Sequence, residues 1–98
     1  TDEVLTPEQV RWIREHHECV DGGGYPAGLA GDDISPGGRI LAIADAWDAM
    51  TSPRAYRAPL TGEGAAAELR RCAGTQFDAD LVARVTEALQ EVSGGDGR

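Results

Sequence analysis

Hydrophobic residues recur at helical intervals in four stretches of the chain, and no stretch shows the alternation that is typical of a β-strand. We therefore predict an all-α fold of about four helices. The first helix begins after Thr6, which suits the N-cap, with Pro7 in the first turn and Gln9 as the reciprocal partner of a capping box. Val10 and Ile13 then form an apolar stripe along this helix.

The second helical stretch, residues 39–50, is apolar on nearly every side. Such a pattern is typical of a central, buried helix. Its one oddity is Asp45, because an unpaired carboxylate is strongly disfavoured in an apolar interior. We expect Asp45 to bind a cation, and an ion pair with Arg39 or Arg54 is the structural alternative.

The last two helices are predicted from their N-terminal signals. Thr61 suits the N-cap of a third helix that runs to about Cys72. Asp78 suits the N-cap of the fourth, and Phe77 and Val82 have the spacing of a hydrophobic staple.

A loop rich in glycine and proline, residues 21–38, separates the first two helices, and we expect no regular element in it. A structureless loop of that length is uncommon in a small domain and tends to be functional. Its glycines suit positions where the backbone approaches a ligand closely. A phosphate-binding P-loop fits poorly because no Gly-Lys-Ser/Thr follows, and the Asp-x-Asp-x-Asp-Gly spacing of a calcium loop is missing.

The two histidines of the chain, His16 and His17, are adjacent at the junction between the first helix and this loop. Imidazole is the commonest metal-binding side chain. Adjacent helical residues point about 100° apart, so the pair can serve one site only at a frayed last turn. Because the apolar stripe runs into His17, we expect at least this ring to point inward. The alternative is one buried, hydrogen-bonded histidine and one surface histidine.

Charged residues near these positions add two weaker signals. Glu15 and Glu18 flank the histidines and either accept hydrogen bonds within the site or lie solvated on the surface. Arg54 and Arg57 enclose Tyr56 just after the second helix. Guanidinium groups match phosphate oxygens and an aromatic ring can stack on a base, although two arginines in a loop are usually just solvated.

Length and charge limit the function classes. A chain of 98 residues makes one domain at most, predicted over residues 1–92 with a disordered glycine-rich tail at 93–98. The 17 acids outnumber the 9 bases, for a net charge of −8, so general nucleic-acid binding is not expected. The longest apolar run, residues 40–44, is too short to span a membrane.

The absence of a visible secretory segment leads us to expect a cytoplasmic protein in which Cys19 and Cys72 are reduced, with a disulfide as the open alternative. The chain begins with Thr1 rather than Met. Either the initiator methionine was removed or the chain is a piece of a longer protein.

From residue 16 onward the chain closely resembles the HD-GYP domain, a branch of the HD metal-dependent phosphohydrolase superfamily. The order and the spacing of many residues carry this resemblance. The matching positions are His16-His17-Glu18, Asp21-Gly22, Gly24-Tyr25-Pro26, Gly28-Leu29, Gly31, Ile34, Arg39-Ile40, Ala44-Asp45, Asp48-Ala49-Met50-Thr51, Arg54-Ala55-Tyr56-Arg57, Phe77-Asp78 and Leu81-Val82.

The resemblance implies a phosphodiesterase that hydrolyses cyclic di-GMP with a cluster of iron or manganese ions. It matches His16, His17 and Asp45 with metal ligands, and Arg54 and Arg57 with residues that contact phosphate. It assigns no further catalytic residue. It also implies a motif loop that shapes the pocket, formed by Asp21, Gly22, Gly24, Tyr25 and Pro26.

The resemblance covers only the C-terminal half of that domain, because the family's His-Asp dyad is missing and no histidine precedes His16. We therefore expect the chain alone to be inactive, and to self-associate as a dimer or to be completed by an N-terminal half or a partner chain. One alternative is a non-catalytic interaction module derived from the same fold. A weaker one is a small structural metal site formed by His16, His17 and Cys19.

Overall fold

The computed structural model describes the backbone of residues 4–94 and the side chains of residues 4–89. Its helices are α1 (Pro7–Glu15), α2 (Pro36–Thr51), α3 (Gly62–Arg71) and α4 (Ala79–Gly94), with one turn of 3₁₀ helix at Gly31–Asp33. Extended pairing within this described part is limited to isolated bridges. The predicted all-α fold of four helices is confirmed.

Because α4 reaches Gly94, the start of the predicted tail at residues 93–94 is helical, and the rest of that tail lies outside the described residues. None of the helices described is both long enough and apolar enough to cross a lipid bilayer.

The helices begin where local sequence signals predict. Thr6 and Gln9 form the expected capping box, because the Thr6 hydroxyl accepts from the Gln9 N–H at 3.1 Å and the Gln9 side chain accepts from the Thr6 N–H at 3.0 Å. Thr61 caps α3 and Asp78 caps α4 through similar side-chain bonds, at 3.0 and 2.9 Å. Each cap satisfies an N–H group that the helix leaves without a partner.

The core lies between α2, α3 and α4. Its centre is formed by the buried side chains of Ile43, Leu69, Phe77 and Val82. The burial of Phe77 and Val82 in the same cluster agrees with the predicted hydrophobic staple. Partly buried residues surround this centre: Ala42, Ala46, Trp47, Met50, Cys72, Ala73, Leu81 and Val85.

Helix α2 begins three residues earlier than its hydrophobic pattern predicts. Ser35 is its N-cap and accepts from the Gly38 N–H at 3.3 Å, and Pro36 occupies the first turn. The two glycines that made this segment look like loop are packing positions. A Cβ on Gly37 would overlap the indole ring of Trp12, so the missing side chain lets α1 lie against the start of α2.

Helix α2 is only partly buried, although its apolar pattern is typical of a central, buried helix. Ile40 is 47% exposed, and on α1 Ile13 is also 47% exposed. No residue of α1 is buried. Ile13, Leu41 and Ala44 line one shallow depression and Ile40 lines a second one that also includes Ala44, and we call these four residues the open apolar face. The pattern of α2 predicted apolar surroundings, but the described helices cover only one side of it.

Candidate metal and phosphodiester site

His16, His17 and Asp45 line one cavity of about 330 Å³ between the end of α1 and the middle of α2. The structure therefore brings together the three residues that the sequence singled out as metal ligands. The other residues around this cavity are Glu18, Cys19, Gly23, Gly24, Tyr25, Ala42, Ala46, Gln76 and Phe77.

His16 is oriented by the helix that precedes it. It follows α1 directly, and its Nδ1 atom is hydrogen-bonded to the carbonyl oxygen of Ile13. Because a carbonyl oxygen can only accept, Nδ1 donates in this bond, and Nε2 is the nitrogen that a neutral ring would offer to a metal ion. An imidazole whose second nitrogen is held by a backbone carbonyl is typical of metal-ligating histidines.

His17 differs from His16 because it is exposed. The prediction that its ring points inward is wrong. It stacks on Tyr25, with ring centroids 4.9 Å apart and planes 18° from parallel. Its other ring contact is His16, at a centroid distance of 3.9 Å. The end of α1 at Glu15 explains this exposure, because the helical stripe no longer continues at residue 17.

Asp45 is exposed at the edge of the open apolar face, so its predicted burial is wrong. The alternative ion pair is also wrong, because Arg39 binds Asp78 at 2.6 Å and Arg54 donates to the carbonyl oxygen of Ala49. Within residues 4–89, the Asp45 carboxylate has no cationic partner. Its oxygens remain available to a ligand in the cavity.

The donor atoms of His16, His17 and Asp45 are of types that bind metal ions, but there are too few of them for a complete metal site. Imidazole nitrogen with carboxylate oxygen suits a divalent transition metal. No group of three or more His, Cys, Asp or Glu side chains is arranged to hold a metal ion in the part of the chain that the structure describes. The chain therefore carries a partial set of donors around one cavity.

Cys19 is a poor additional ligand, which weakens the alternative of a structural site with the two histidines. Burial raises the pKa of the Cys19 thiol, and the charges of Asp21 and Glu18 raise it further. The thiolate is the form that binds metals, so these surroundings disfavour binding. Both cysteines are free thiols, as expected for reduced residues.

The segment between α1 and α2, residues 16–35, which we call the α1–α2 loop, docks on the turn between α3 and α4. The backbone N–H groups of Val20 and Asp21 donate to the carbonyl oxygens of Gln76 and Thr75, at 3.3 and 2.9 Å. Gln76 also lines the cavity, a role that no sequence signal predicted. Directed backbone bonds thus fix a loop that was expected to be structureless.

The predicted motif loop begins with a tight turn at Asp21 and Gly22. The Asp21 carboxylate accepts from the Gly23 N–H at 2.9 Å, and the Gly22 N–H donates to the carbonyl oxygen of Cys19 at 2.8 Å. An aspartate that accepts from a backbone two residues on is a common device for stabilising a turn.

Gly24 completes the turn by packing directly on the backbone next to the histidines. A Cβ at this position would overlap the carbonyl oxygen of His17 and the amide nitrogen of Cys19. Tyr25 and Pro26 follow, joined by a cis peptide bond, and both are exposed. Of the predicted motif loop, Gly24 and Tyr25 line the cavity.

The two flanking acids, whose role the sequence left open, both accept backbone hydrogen bonds. Glu15 accepts from the Ser35 N–H at 2.7 Å and pairs with Arg11 at 2.9 Å. Burial raises the pKa of Glu15, but the bonds from Ser35 and Arg11 outweigh it and hold the pKa below its ordinary value. Glu18 is only 3% exposed and receives two N–H groups of the α1–α2 loop.

Arg54 and Arg57 lie beyond the C-terminal end of α2 and do not line the cavity. Both guanidinium groups donate to the carbonyl oxygen of Ala49, at 3.4 and 3.0 Å. Ala49 is one helical turn beyond Asp45, a rise of about 6 Å along the helix axis. Both side chains are exposed and keep further N–H donors free.

Comparison with known proteins identifies the family of the chain that carries this site. Residues 6–81 match the family model of the HD domain. The matched segment contains α1, the α1–α2 loop, α2, α3 and the start of α4, and so it includes every residue of the candidate site.

The chain is also similar to parts of three curated cyclic dinucleotide phosphodiesterases. It is 46% identical over 78% of its length to 3'3'-cGAMP-specific phosphodiesterase 2 of Vibrio cholerae. It is 37% identical over 94% of its length to the cyclic di-GMP phosphodiesterase response regulator RpfG of Xanthomonas campestris, and 37% identical over 80% to a cyclic di-GMP phosphodiesterase of Thermotoga maritima. The matches span 15%, 27% and 21% of these relatives.

Proposed function

The chain belongs to the HD domain family, and from this premise we propose that it supplies part of a metal-dependent site that hydrolyses a phosphodiester bond of a cyclic dinucleotide. The observation that carries the proposal is the single cavity shared by His16, His17 and Asp45, where the Ile13 carbonyl engages Nδ1 of His16 and not Nε2. The relatives support the substrate class, because they are named for cyclic di-GMP or 3'3'-cGAMP.

Within the family we assign the chain to the HD-GYP branch, as the C-terminal half of that domain. The turn that contains Gly24, Tyr25 and Pro26 next to the histidine pair supports the assignment. The partial donor set supports the half-domain, because two imidazoles and one carboxylate leave most positions of a metal cluster to other ligands.

In this proposal the two histidines and Asp45 hold iron or manganese together with ligands from an N-terminal half or a partner chain. A metal bound there would withdraw charge from the phosphodiester oxygens. The residues of this chain do the positioning. The Ile13 carbonyl fixes the His16 ring, Tyr25 supports the His17 ring, and α2 presents Asp45 from a rigid backbone.

Arg54 and Arg57 would bind the charged phosphate oxygens of the dinucleotide. Each guanidinium uses a single N–H on the Ala49 carbonyl, which holds the group near the end of α2 while other donors stay free. A guanidinium can bind two oxygens of one phosphate in parallel, which gives orientation as well as charge.

The experiment that tests the function is a chimera of the Thermotoga maritima relative in which this chain replaces the matching segment. We expect the chimera to hydrolyse cyclic di-GMP in the presence of Mn²⁺ or Fe²⁺. His17→Ala and Asp45→Ala should each reduce turnover at least about 100-fold, the usual effect of removing an electrostatic group from a reacting centre. Asp48→Asn is the matched control, since Asp48 accepts from the hydroxyl of Ser52, the C-cap of the same helix, and does not line the cavity.

A folded chimera without turnover would contradict the proposal, and so would turnover that survives Asp45→Ala. If the chimera does not fold, Mn²⁺ titration of the chain itself decides whether the three residues act together. Selective binding that Asp45→Asn weakens supports the proposal, and binding elsewhere refutes it.

The open apolar face favours a second candidate function, a non-catalytic module that associates with another helical surface. Ile13 and Ile40 are each 47% exposed, and exposed apolar patches of this kind are typical of interaction sites. We expect the isolated chain to sediment as a dimer or larger species, and Ile40→Glu to shift it to monomer. Leu60→Glu, at a residue 40% exposed outside this face, should leave association unchanged. A monodisperse wild-type monomer would contradict this candidate.

A further inference from the structure

The carboxylate of Glu18 accepts two backbone hydrogen bonds and has no role in the proposed metal chemistry. Glu18 directly follows the histidine pair, yet its side chain points away from solvent and is 3% exposed. Its Oε2 atom accepts the N–H of Ala27 and its Oε1 atom accepts the N–H of Leu29, each at 2.8 Å. Both carboxylate oxygens are therefore bound to the far side of the α1–α2 loop.

Residues 24 and 25, which come earlier in the same loop, are held by backbone contacts. Gly24 packs against the backbone of residues 17–19 so closely that no Cβ fits, and the Tyr25 N–H donates to the carbonyl oxygen of His17 at 3.3 Å. Tyr25 thus lies between two anchors, the Gly24 contact before it and the Glu18 carboxylate after it.

The side chain held between these anchors, that of Tyr25, is in ring contact with His17. The Tyr25 ring stacks on His17 at a centroid distance of 4.9 Å. His17 lies beyond the last residue of α1, and within residues 4–89 its ring has no hydrogen bond. His16 differs, because its ring is held by the Ile13 carbonyl. The orientation of His17 therefore depends on its ring contacts, which are the stack with Tyr25 and the tilted contact with His16.

We propose that Glu18 is a positioning residue for His17, acting through the loop backbone and Tyr25. The buried carboxylate ties Ala27 and Leu29 to the peptide that carries the histidines, which sets the path of the loop and keeps the Tyr25 ring on the His17 ring. The role rests on the proposed function, because orienting His17 serves the chemistry only if His17 binds the metal.

The test is the proton NMR spectrum of the imidazoles in the chain itself, which contains just two histidines. The Tyr25→Leu variant provides the reference, namely the chemical shifts of the His17 ring protons when no tyrosine ring is stacked on them. We expect Glu18→Gln to move the His17 signals most of the way to the Tyr25→Leu positions, because the two N–H groups bind different oxygens of Glu18 and glutamine replaces one of these oxygens with an NH2 donor. The His16 signals should change less, since the Ile13 carbonyl holds that ring.

Glu15→Gln is the matched control. Glu15 is also a carboxylate that accepts a backbone N–H, at Ser35, but it joins α1 to the start of α2 instead of holding the loop. It should lower the unfolding temperature without moving the His17 signals. A merely structural Glu18 would behave as Glu15 does, and unchanged His17 signals in a folded Glu18→Gln variant would overturn the proposal.

If Glu18→Gln does not fold, the wild-type chain decides. Slow hydrogen exchange at Ala27 and Leu29 together with a nuclear Overhauser effect between the Tyr25 and His17 rings supports the role. Fast exchange at both amides, or no contact between the rings, refutes it. These readouts need neither metal nor substrate, so a failed hydrolysis assay and a failed positioning role remain distinguishable.

Discussion

The α1–α2 loop and helix α2 are stabilised in opposite ways. The loop contributes one large apolar side chain, Ile34, to the buried residues, and it is held mainly by hydrogen bonds to Glu18, Gln76 and Thr75. Helix α2 is rich in apolar residues, but its open apolar face has no covering element within the described residues.

This difference in stabilisation separates the two parts of the site, the histidines next to the loop and Asp45 on α2. Hydrogen bonds are directional, so the loop has a defined path next to the histidines without an extensive core around it. Apolar contacts are not directional, and the open face of α2 gains stability only when another surface covers it. The histidines therefore lie on a support held by hydrogen bonds, whereas Asp45 lies at the border of a surface that no described element covers.

The largest contrast is expected between two isoleucines one turn apart on α2. Ile43 is fully buried, so Ile43→Ala should lower the free energy of unfolding by about 4 kcal/mol. Ile40 is 47% exposed, so Ile40→Ala should cost about 1 kcal/mol or less. Denaturant unfolding at a protein concentration where the chain is monomeric measures both. Equal costs would mean that the face around Ile40 is not open.

The loop has its own contrast between neighbouring glycines. Gly24→Ala should lower the free energy of unfolding by about 3 kcal/mol, because the new Cβ would displace rigid backbone at His17 and Cys19. Gly23→Ala is the control, since its Cβ meets only the Asp21 side chain, at 3.1 Å. Thermal unfolding of both variants measures the difference. A Gly24→Ala protein as stable as Gly23→Ala would show that the loop is not tightly docked.

A smaller effect is expected at the ion pair that joins α2 to the start of α4. The Leu81 N–H hydrogen bond and the Arg39 guanidinium outweigh burial and hold the pKa of Asp78 below its ordinary value of 3.8. Asp78→Asn keeps the cap but removes the charge, and should cost about 1 kcal/mol near neutral pH. Asp80→Asn, in a pair with Arg84 that is well exposed, should cost nothing measurable.

The pH dependence of this effect has a definite sign. Because the pKa of Asp78 is lower in the folded state, its stabilisation is complete above the unfolded pKa and is lost as the pH falls through the folded value. The stability difference between wild type and Asp78→Asn should therefore narrow below about pH 4. A difference that stays constant or widens on acidification would contradict the assigned ion pair.

Features that depend on a few neighbouring residues could be predicted from the sequence. The caps at Thr6, Thr61 and Asp78 belong to this class, because each satisfies a backbone group within three residues. The start of α2 could not be predicted, because Gly37 looks like a loop residue until the ring of Trp12 is packed against it.

The candidate site also has some features that could be predicted from the sequence and others that could not. The sequence brought His16, His17 and Asp45 to attention, and the structure places them around one cavity. Their exposure could not be predicted, because it depends on which surfaces cover α2 and on where α1 ends. Glu18 was only a candidate acceptor, although a carboxylate beside a glycine-rich loop with many free N–H groups is a signal for such a role.

The most direct test of the central claim is a Mn²⁺ titration of the chain, followed through the paramagnetic broadening of the histidine NMR signals. If His16, His17 and Asp45 share one metal, the signals of both rings should broaden at the lowest Mn²⁺ concentrations. Asp45→Asn should raise the concentration required, and Asp48→Asn should not. Broadening that begins at other acidic residues while both histidine rings stay sharp, or that is indifferent to Asp45→Asn, would contradict the account.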